Sequence, residues 1–196
     1  MKKKIITICL GSGRCGTASL AYLLNSQKSS LVCHELFPIL PWVEEQQRDN
    51  HNKGMIQFKF NQLTHLSHNY NLVGDAGSYY LLYAEVFIRS LINNPNYEIK
   101  FLVMKRDKQA TVNSFLKKFK RQNNNPLQQH DGPKNEWDNS FPKYDCETIE
   151  EATEYYYDDY YRISEELQQK YPNNFRIFNM TSLNSRDGVN EILEFV

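Results

Sequence analysis

The sequence predicts an α/β fold in three layers, with helices on both faces of a mostly parallel sheet. Short apolar segments of strand length alternate with longer segments of helical periodicity, as expected when crossover helices connect parallel strands. The chain has 196 residues, of which 40% are hydrophobic and 13% aromatic. We therefore expect one globular domain over residues 1–196, with one sizeable core.

The apolar and periodic segments define the expected elements in order along the chain. The first strand is the apolar run after Lys4, which is too short for a signal peptide and leads directly into a glycine-rich loop. In the last long helix, Tyr156, Tyr160, Ile163 and Leu167 fall on one face, which predicts packing against the sheet. Strands are expected at 4–10, 31–33, 55–59, 71–74, 99–105 and 175–179, and helices near 17–26, 79–93, 108–120 and 148–170.

A long polar segment interrupts this alternation at residues 121–145. It is rich in Asn, Gln and Pro and has few periodic apolar residues. Long excursions in compact domains are often lids or binding loops, and Trp137, Phe141 and Tyr144 offer aromatic surface for an acceptor. A surface insertion without function is the alternative.

Charge and cysteine usage narrow the class of partner. Lys plus Arg and Asp plus Glu each number 23, so no global field attracts nucleic acid or anionic lipid. No stretch has the roughly 20 apolar residues that a membrane span requires. The four cysteines form no regular pattern, which favours free thiols in the cytoplasm, and Cys33-His34 without further ligands nearby does not indicate a metal site.

The loop GSGRCGTASL, residues 11–20, has the glycine spacing of two phosphate-binding motifs. Gly11, Gly13 and Gly16 match the dinucleotide pattern G-x-G-x-x-G, while Gly11 and Gly16 also frame a P-loop in which Thr17 replaces the usual Lys. In either interpretation, loop amides and a helix N-terminus bind an anion. Under the dinucleotide interpretation, Glu35 would hold a ribose hydroxyl.

A second strand, turn and helix follow Lys100, with Arg106 at the strand end and Ser114 about two turns into the helix. Together the two segments resemble the sulfotransferases that use 3′-phosphoadenosine 5′-phosphosulfate (PAPS). In that family an R-[ST]-G-T loop binds the 5′-phosphosulfate, and an R-D-P-x-x-x-x-x-S segment binds the 3′-phosphate. Cys15 stands where the family commonly has Ser, and Lys108 replaces its frequent Pro.

The resemblance implies a P-loop-nucleotide-hydrolase-like sulfotransferase fold and a hydroxyl-bearing acceptor such as a sugar, a phenol or tyrosine, or a small metabolite. PAPS would be the sulfuryl donor, adenosine 3′,5′-bisphosphate the product, and no metal would be required. The cofactor-binding residues it implies are Gly11, Ser12, Gly13, Arg14, Cys15, Gly16, Thr17, Ala18, Arg106 and Ser114.

The resemblance is nearest to the tyrosylprotein- and carbohydrate-type branches, which use a Glu base, and so it implies Glu35 as the base. Arg14 would stabilise charge on the leaving group, and His34 is the rival base. Strand alternation predicts that His34 and Glu35 do not point into one site. The family's leaving-group Lys is absent near Gly74-Asp75, where Lys59 on a preceding strand is a possible substitute.

Two other functions remain compatible with the first loop. A P-loop kinase or nucleotide hydrolase would carry Lys at position 17, and an NAD(P)-binding oxidoreductase would show a catalytic set such as Tyr-x-x-x-Lys. Neither feature stands out in the sequence.

Overall fold

A computed structural model describes residues 3–43, 53–122, 125–127 and 136–196. Within these residues, five parallel strands form one sheet in the order β2-β3-β1-β4-β5. The strands are β1 (Lys4–Leu10), β2 (Ser30–His34), β3 (Leu72–Ala76), β4 (Tyr97–Lys105) and β5 (Phe175–Asn179).

The strand order creates a switch point at the centre of the sheet. The chain leaves β1 toward β2 on one side and leaves β4 toward β5 on the other. The loops that follow β1 and β4 therefore diverge at the carboxyl ends of neighbouring strands, which is where ligands of open α/β sheets bind.

Helices cover both faces of the sheet, as predicted. They are α1 (Thr17–Asn25), α2 (Lys53–Leu66), α3 (Ala84–Leu91), α4 (Lys108–Gln122), α5 (Ile149–Lys170) and α6 (Arg186–Phe195), with 3₁₀ segments at Ser78–Tyr83, Glu136–Ser140 and Met180–Asn184. Alternate residues of β1 supply the two layers of core: Ile6 and Ile8 pack with α2 to α5, and Cys9 packs with α1 and α6.

The predicted packing face of α5 is confirmed. Tyr156, Tyr160 and Leu167 are buried, and Ile163 packs partly buried against the same core. None of the helices in the described ranges is both long and apolar enough to cross a membrane.

The predicted strand at 55–59 is wrong, because these residues lie within α2. The buried positions of this helix are Ile56, Lys59 and Leu63, whose spacing of three and four residues marks one helical face. A short apolar run can fit a strand or a helix, and periodicity over five residues does not separate the two. Likewise, the single helix predicted at 79–93 is a 3₁₀ segment followed by α3.

The predicted excursion at 121–145 is partly described. Residues 123–124 and 128–135 of it lie outside the described ranges. The described remainder is joined to the rest of the protein by Trp42, which donates its backbone N–H to Asn139 O at 2.7 Å, and it is closed internally by Tyr144, which donates its own to Leu127 O at 2.9 Å. The polar composition of this segment therefore does not prevent its described parts from packing.

Candidate functional site

A cleft of about 900 Å³ lies over the carboxyl ends of the central strands. Its walls come from the loops after all five strands, from α4 and from the excursion. The residues that line it are Ser12, Gly13, Arg14, Gly16, Thr17, Ala18, His34, Glu35, Ser78, Arg106, Phe115, Lys118, Phe119, Gln122, Pro126, Trp137, Asp138, Phe141 and Met180.

The glycine-rich loop forms one wall through backbone that glycine adopts readily. Gly13 and Gly16 have φ of 98° and 92°, and Arg14 between them also has a positive φ of 59°. A Cβ on Gly13 would lie 2.9 Å from Phe115 Cζ, so this close approach of loop and α4 requires glycine. Helix α1 begins directly behind the loop and has no acid in its first turn, which leaves the positive end of its dipole facing the loop.

The structure brings the predicted cationic residues together. Arg14 Nε donates to Ser114 Oγ at 3.1 Å, and Arg106 Nη1 donates to the Arg14 carbonyl oxygen at 3.0 Å. The two predicted anion-binding segments, about 100 residues apart in the chain, thus meet at the edge of the cleft; Arg14 and Arg106 line it, whereas Ser114 does not line it and contacts Arg14. Tyr157, on α5, donates its hydroxyl to Arg106 O at 2.5 Å and so holds the turn after β4.

Two predicted loop residues do not line the cleft. The Cys15 side chain is fully buried, and burial raises the pKa of its thiol. Gly11 donates its backbone N–H to Tyr160 Oη at 3.0 Å, and a Cβ there would collide with Cys15 Sγ at 2.2 Å. Cys15 therefore fills the core where the resemblance suggested a hydroxyl donor, and Gly11 makes room for it.

Glu35 and His34 both line the cleft, contrary to the prediction from strand alternation. His34 is the last residue of β2, and Glu35 follows in a left-handed conformation with φ of 60°. Alternation holds only for extended backbone, and the turn at Glu35 ends it. His34 Nδ1 lies 3.7 Å from Glu35 Oε2, and both side chains are about 40% exposed. A non-glycine residue in this conformation costs roughly 1–2 kcal/mol, so other contacts must hold it.

Those contacts come from a buried group of four side chains, which we call the Asp75 cluster: Asp75, Lys59, Tyr79 and Tyr80. Asp75 Oδ2 accepts from Tyr79 Oη at 2.9 Å and from Tyr80 Oη at 2.7 Å, and Lys59 Nζ lies 3.6 Å away. Asp75 also accepts the backbone N–H of Leu36, the residue after Glu35.

Lys59 is not available to the cleft. Its side chain is fully buried on α2 and does not line the cleft. Burial lowers its pKa to about 8, while the charge of Asp75 opposes this shift. The sequence suggested that Lys59, on a predicted strand, could replace the family's leaving-group lysine. The structure instead places Lys59 on a helix and in the Asp75 cluster.

Sequence reasoning missed Lys118, which lines the cleft from α4. Burial lowers the pKa of its ammonium group; Glu35 acts in the opposite direction, and Arg14 lowers it further. Residues four apart share a helical face, so the spacing of Ser114, Lys118 and Gln122 could have predicted that Lys118 lies on the same side of the helix as Ser114. Asp138 is a second missed residue: it is buried in the excursion and lines the same cleft.

Aromatic side chains line another part of the cleft. Phe115 and Phe119 stack with ring centroids 5.2 Å apart, and Trp137 and Phe141 come from the excursion, as expected. Tyr144 is not among the lining residues; its hydroxyl donates to Asp159 Oδ2 at 2.9 Å. In the described ranges, no group of three or more His, Cys, Asp and Glu side chains could hold a metal ion.

Comparison with solved structures identifies the architecture. A sulfotransferase from Alicyclobacillus acidocaldarius superposes with a TM-score of 0.54 at 14% identity, over 100% of this chain and 81% of that one. The chain has a P-loop-like α/β fold. A shikimate kinase from Bacteroides thetaiotaomicron aligns with a TM-score of 0.45 at 12% identity, over 97% of this chain and 94% of its own. No protein-family model and no curated protein sequence matches the chain.

Proposed function

We propose that this protein is a PAPS-dependent sulfotransferase that transfers the sulfuryl group to a hydroxyl acceptor. The observation that carries the proposal is the contact of Arg14 with both Ser114 and Arg106 at the edge of a cleft that Arg14, Arg106 and Glu35 line. A single phosphate would need the loop alone, whereas PAPS carries anionic groups at both ends of its ribose. The fold shared with a sulfotransferase is consistent with this chemistry.

The residues present fit such a donor. Arg14, Arg106 and Lys118 give the cleft three cationic side chains, and the stacked Phe115 and Phe119 give it an apolar wall. The volume of about 900 Å³ lies in the range of ordinary ligand sites. Loop amides of residues 12–18 and the start of α1 would hold the 5′ end, and Arg106 with Ser114 would hold the 3′-phosphate.

Each site residue then has a defined role. When bound, PAPS supplies an activated sulfuryl group. Glu35 takes the proton of the acceptor hydroxyl, because an alcohol becomes a competent nucleophile as that proton leaves. Arg14 stabilises the negative charge that grows on the departing nucleotide, and its fixed position makes this stabilisation effective. Lys118 adds a third positive charge to the cleft beside those of Arg14 and Arg106.

We further propose that residues 1–196 form one domain and that the excursion contributes the acceptor site. Pro126, Trp137, Asp138 and Phe141 supply lining from that segment. Trp137→Ala would test the assignment: transfer to the acceptor should weaken while nucleotide affinity persists. Equal loss of both would contradict it.

Binding of the product nucleotide tests the donor assignment. Calorimetric titration should give tighter binding of adenosine 3′,5′-bisphosphate than of adenosine 5′-monophosphate or NAD, because only the first fills both anion sites. Equal affinity for the monophosphate would contradict the two-site arrangement. Tighter binding of ATP, with phosphoryl transfer, would favour a kinase despite Thr17.

Turnover with labelled PAPS and a panel of hydroxyl acceptors tests the base. Glu35→Gln keeps the side-chain shape and removes its basicity, so turnover should fall by roughly 10²- to 10⁴-fold. Affinity for adenosine 3′,5′-bisphosphate should stay unchanged. His34→Ala is the matched comparison: normal turnover of Glu35→Gln beside a collapse in His34→Ala would transfer the role to His34.

A further inference from the structure

The residue after the proposed base is held at both of its backbone polar groups by the Asp75 cluster. Leu36 N–H donates to Asp75 Oδ1 at 3.1 Å and to Oδ2 at 3.2 Å. Leu36 O accepts from Tyr79 Oη at 2.9 Å and from Lys59 Nζ. The partners lie on α2, on β3 and in the 3₁₀ segment after β3, so three separate elements fix the backbone of one residue on both sides.

The peptide before Glu35 is held from the sheet. Glu35 N–H donates to Ala76 O at 2.9 Å, one step beyond the paired residues His34 and Ala76. Glu35 therefore bends between two anchored peptides and takes its left-handed conformation there. Because φ and ψ of a residue determine where its Cβ points, these anchors determine the direction in which the Glu35 side chain leaves the backbone.

The charged and polar groups of the cluster are paired with one another inside the core. Asp75 and Lys59 are both fully buried and face each other, so neither charge is isolated. Tyr80 donates its hydroxyl to Asp75 Oδ2, and Tyr79 shares its single hydroxyl proton between Asp75 Oδ2 and Leu36 O. None of the four side chains lines the cleft.

We propose that three members of the Asp75 cluster, Lys59, Asp75 and Tyr79, form a positioning unit that holds the Glu35 turn so that its carboxylate faces the acceptor. The inference rests on the proposed function for its effect on catalysis, but the structural part of it concerns the Glu35 turn alone. Lys59, Asp75 and Tyr79 act through Leu36 and touch no substrate.

Two adjacent tyrosines provide a matched test. Both hydroxyls donate to Asp75 Oδ2 from buried positions, but only that of Tyr79 also contacts Leu36 O among the described contacts of the pair. Tyr79→Phe and Tyr80→Phe each remove one hydroxyl and keep the ring. The two variants should lose similar stability toward urea, and only Tyr79→Phe should disturb the Glu35 turn.

Steady-state kinetics measure the catalytic consequence. Tyr79→Phe should lower kcat by roughly 10- to 100-fold, since small misplacement of a catalytic group carries penalties of this order. Its KM for PAPS and its affinity for adenosine 3′,5′-bisphosphate should not change. Tyr80→Phe should keep kcat within about threefold of the parent, because its ring and the Leu36 contacts remain. Equal kcat in the two variants would overturn the proposal.

Amide hydrogen exchange gives a readout that does not depend on activity. In the intact protein, Tyr79→Phe should speed exchange at Leu36 relative to Tyr80→Phe, because Leu36 loses a hydrogen bond at its own carbonyl oxygen and its backbone is held less firmly. Faster exchange with no sulfuryl transfer in any variant would uphold the structural role and refute the proposed function. Unchanged exchange at Leu36 would refute the positioning role, whatever the activity.

Discussion

Removing the Tyr160 hydroxyl should lower the free energy of unfolding markedly, because two backbone groups depend on this one oxygen. Tyr160 is fully buried on α5. Its hydroxyl accepts the Gly11 N–H at 3.0 Å and donates to Ser78 O at 3.2 Å. It therefore joins the start of the glycine-rich loop to the segment that follows β3, and both backbone groups depend on it.

The magnitude follows from what Tyr160→Phe leaves behind. The ring and its packing remain, so the apolar contribution is kept. The buried Gly11 N–H loses its partner, which costs about 1–3 kcal/mol, and the partly buried Ser78 O also loses one, at about 1 kcal/mol. We expect the free energy of unfolding to fall by about 2–4 kcal/mol in total. Affinity for adenosine 3′,5′-bisphosphate should fall as well, because Gly11 is the first residue of the glycine-rich loop proposed to hold the nucleotide.

Urea denaturation followed by circular dichroism, with calorimetric nucleotide titration, measures both effects. Tyr144→Phe is the matched control, since its hydroxyl bonds Asp159 and does not line the cleft. That variant should lose stability and keep its nucleotide affinity. A loss below about 0.5 kcal/mol in Tyr160→Phe, the usual range for surface substitutions, would refute the argument.

Three further predictions concern the loop, its anchor and pH. Gly13→Ala should cost roughly 1–2 kcal/mol for its positive φ and about 1–3 kcal/mol for crowding Phe115, measured by urea denaturation. Gly54→Ala, where a Cβ meets nothing within 4 Å, should not destabilise. Arg106→Lys should weaken adenosine 3′,5′-bisphosphate binding by calorimetry, because Lys has no planar fork to hold both Arg14 O and a phosphate; unchanged affinity would contradict this. Burial raises the pKa of the buried α5 tyrosines above 10.0, so above about pH 10 the unfolded chain releases protons that the folded chain keeps, and stability falls. A urea midpoint that stayed constant from about pH 9 to about pH 11 would contradict that sign.

The sequence alone determined the α/β class and the location of the two segments that we propose bind anions. Strand, glycine loop and helix follow one another within residues 4–25, and this pattern depends on neighbours in the chain. The carboxyl ends of parallel strands share one edge of a sheet, so Arg14, Glu35 and Arg106 could be expected near one cleft before any contact was known.

Side-chain direction within that cleft was decided by tertiary structure. Cys15 turns into the core, and Glu35 leaves the strand pattern because the Asp75 cluster holds the next peptide. Lys59 was predicted on a strand but is a buried helical partner of Asp75, because the short run 55–59 fits both a strand and a helix. Contacts such as Arg14 with Ser114 join residues 100 positions apart. No local periodicity encodes a pairing of that separation, so only packing of the whole chain could select it.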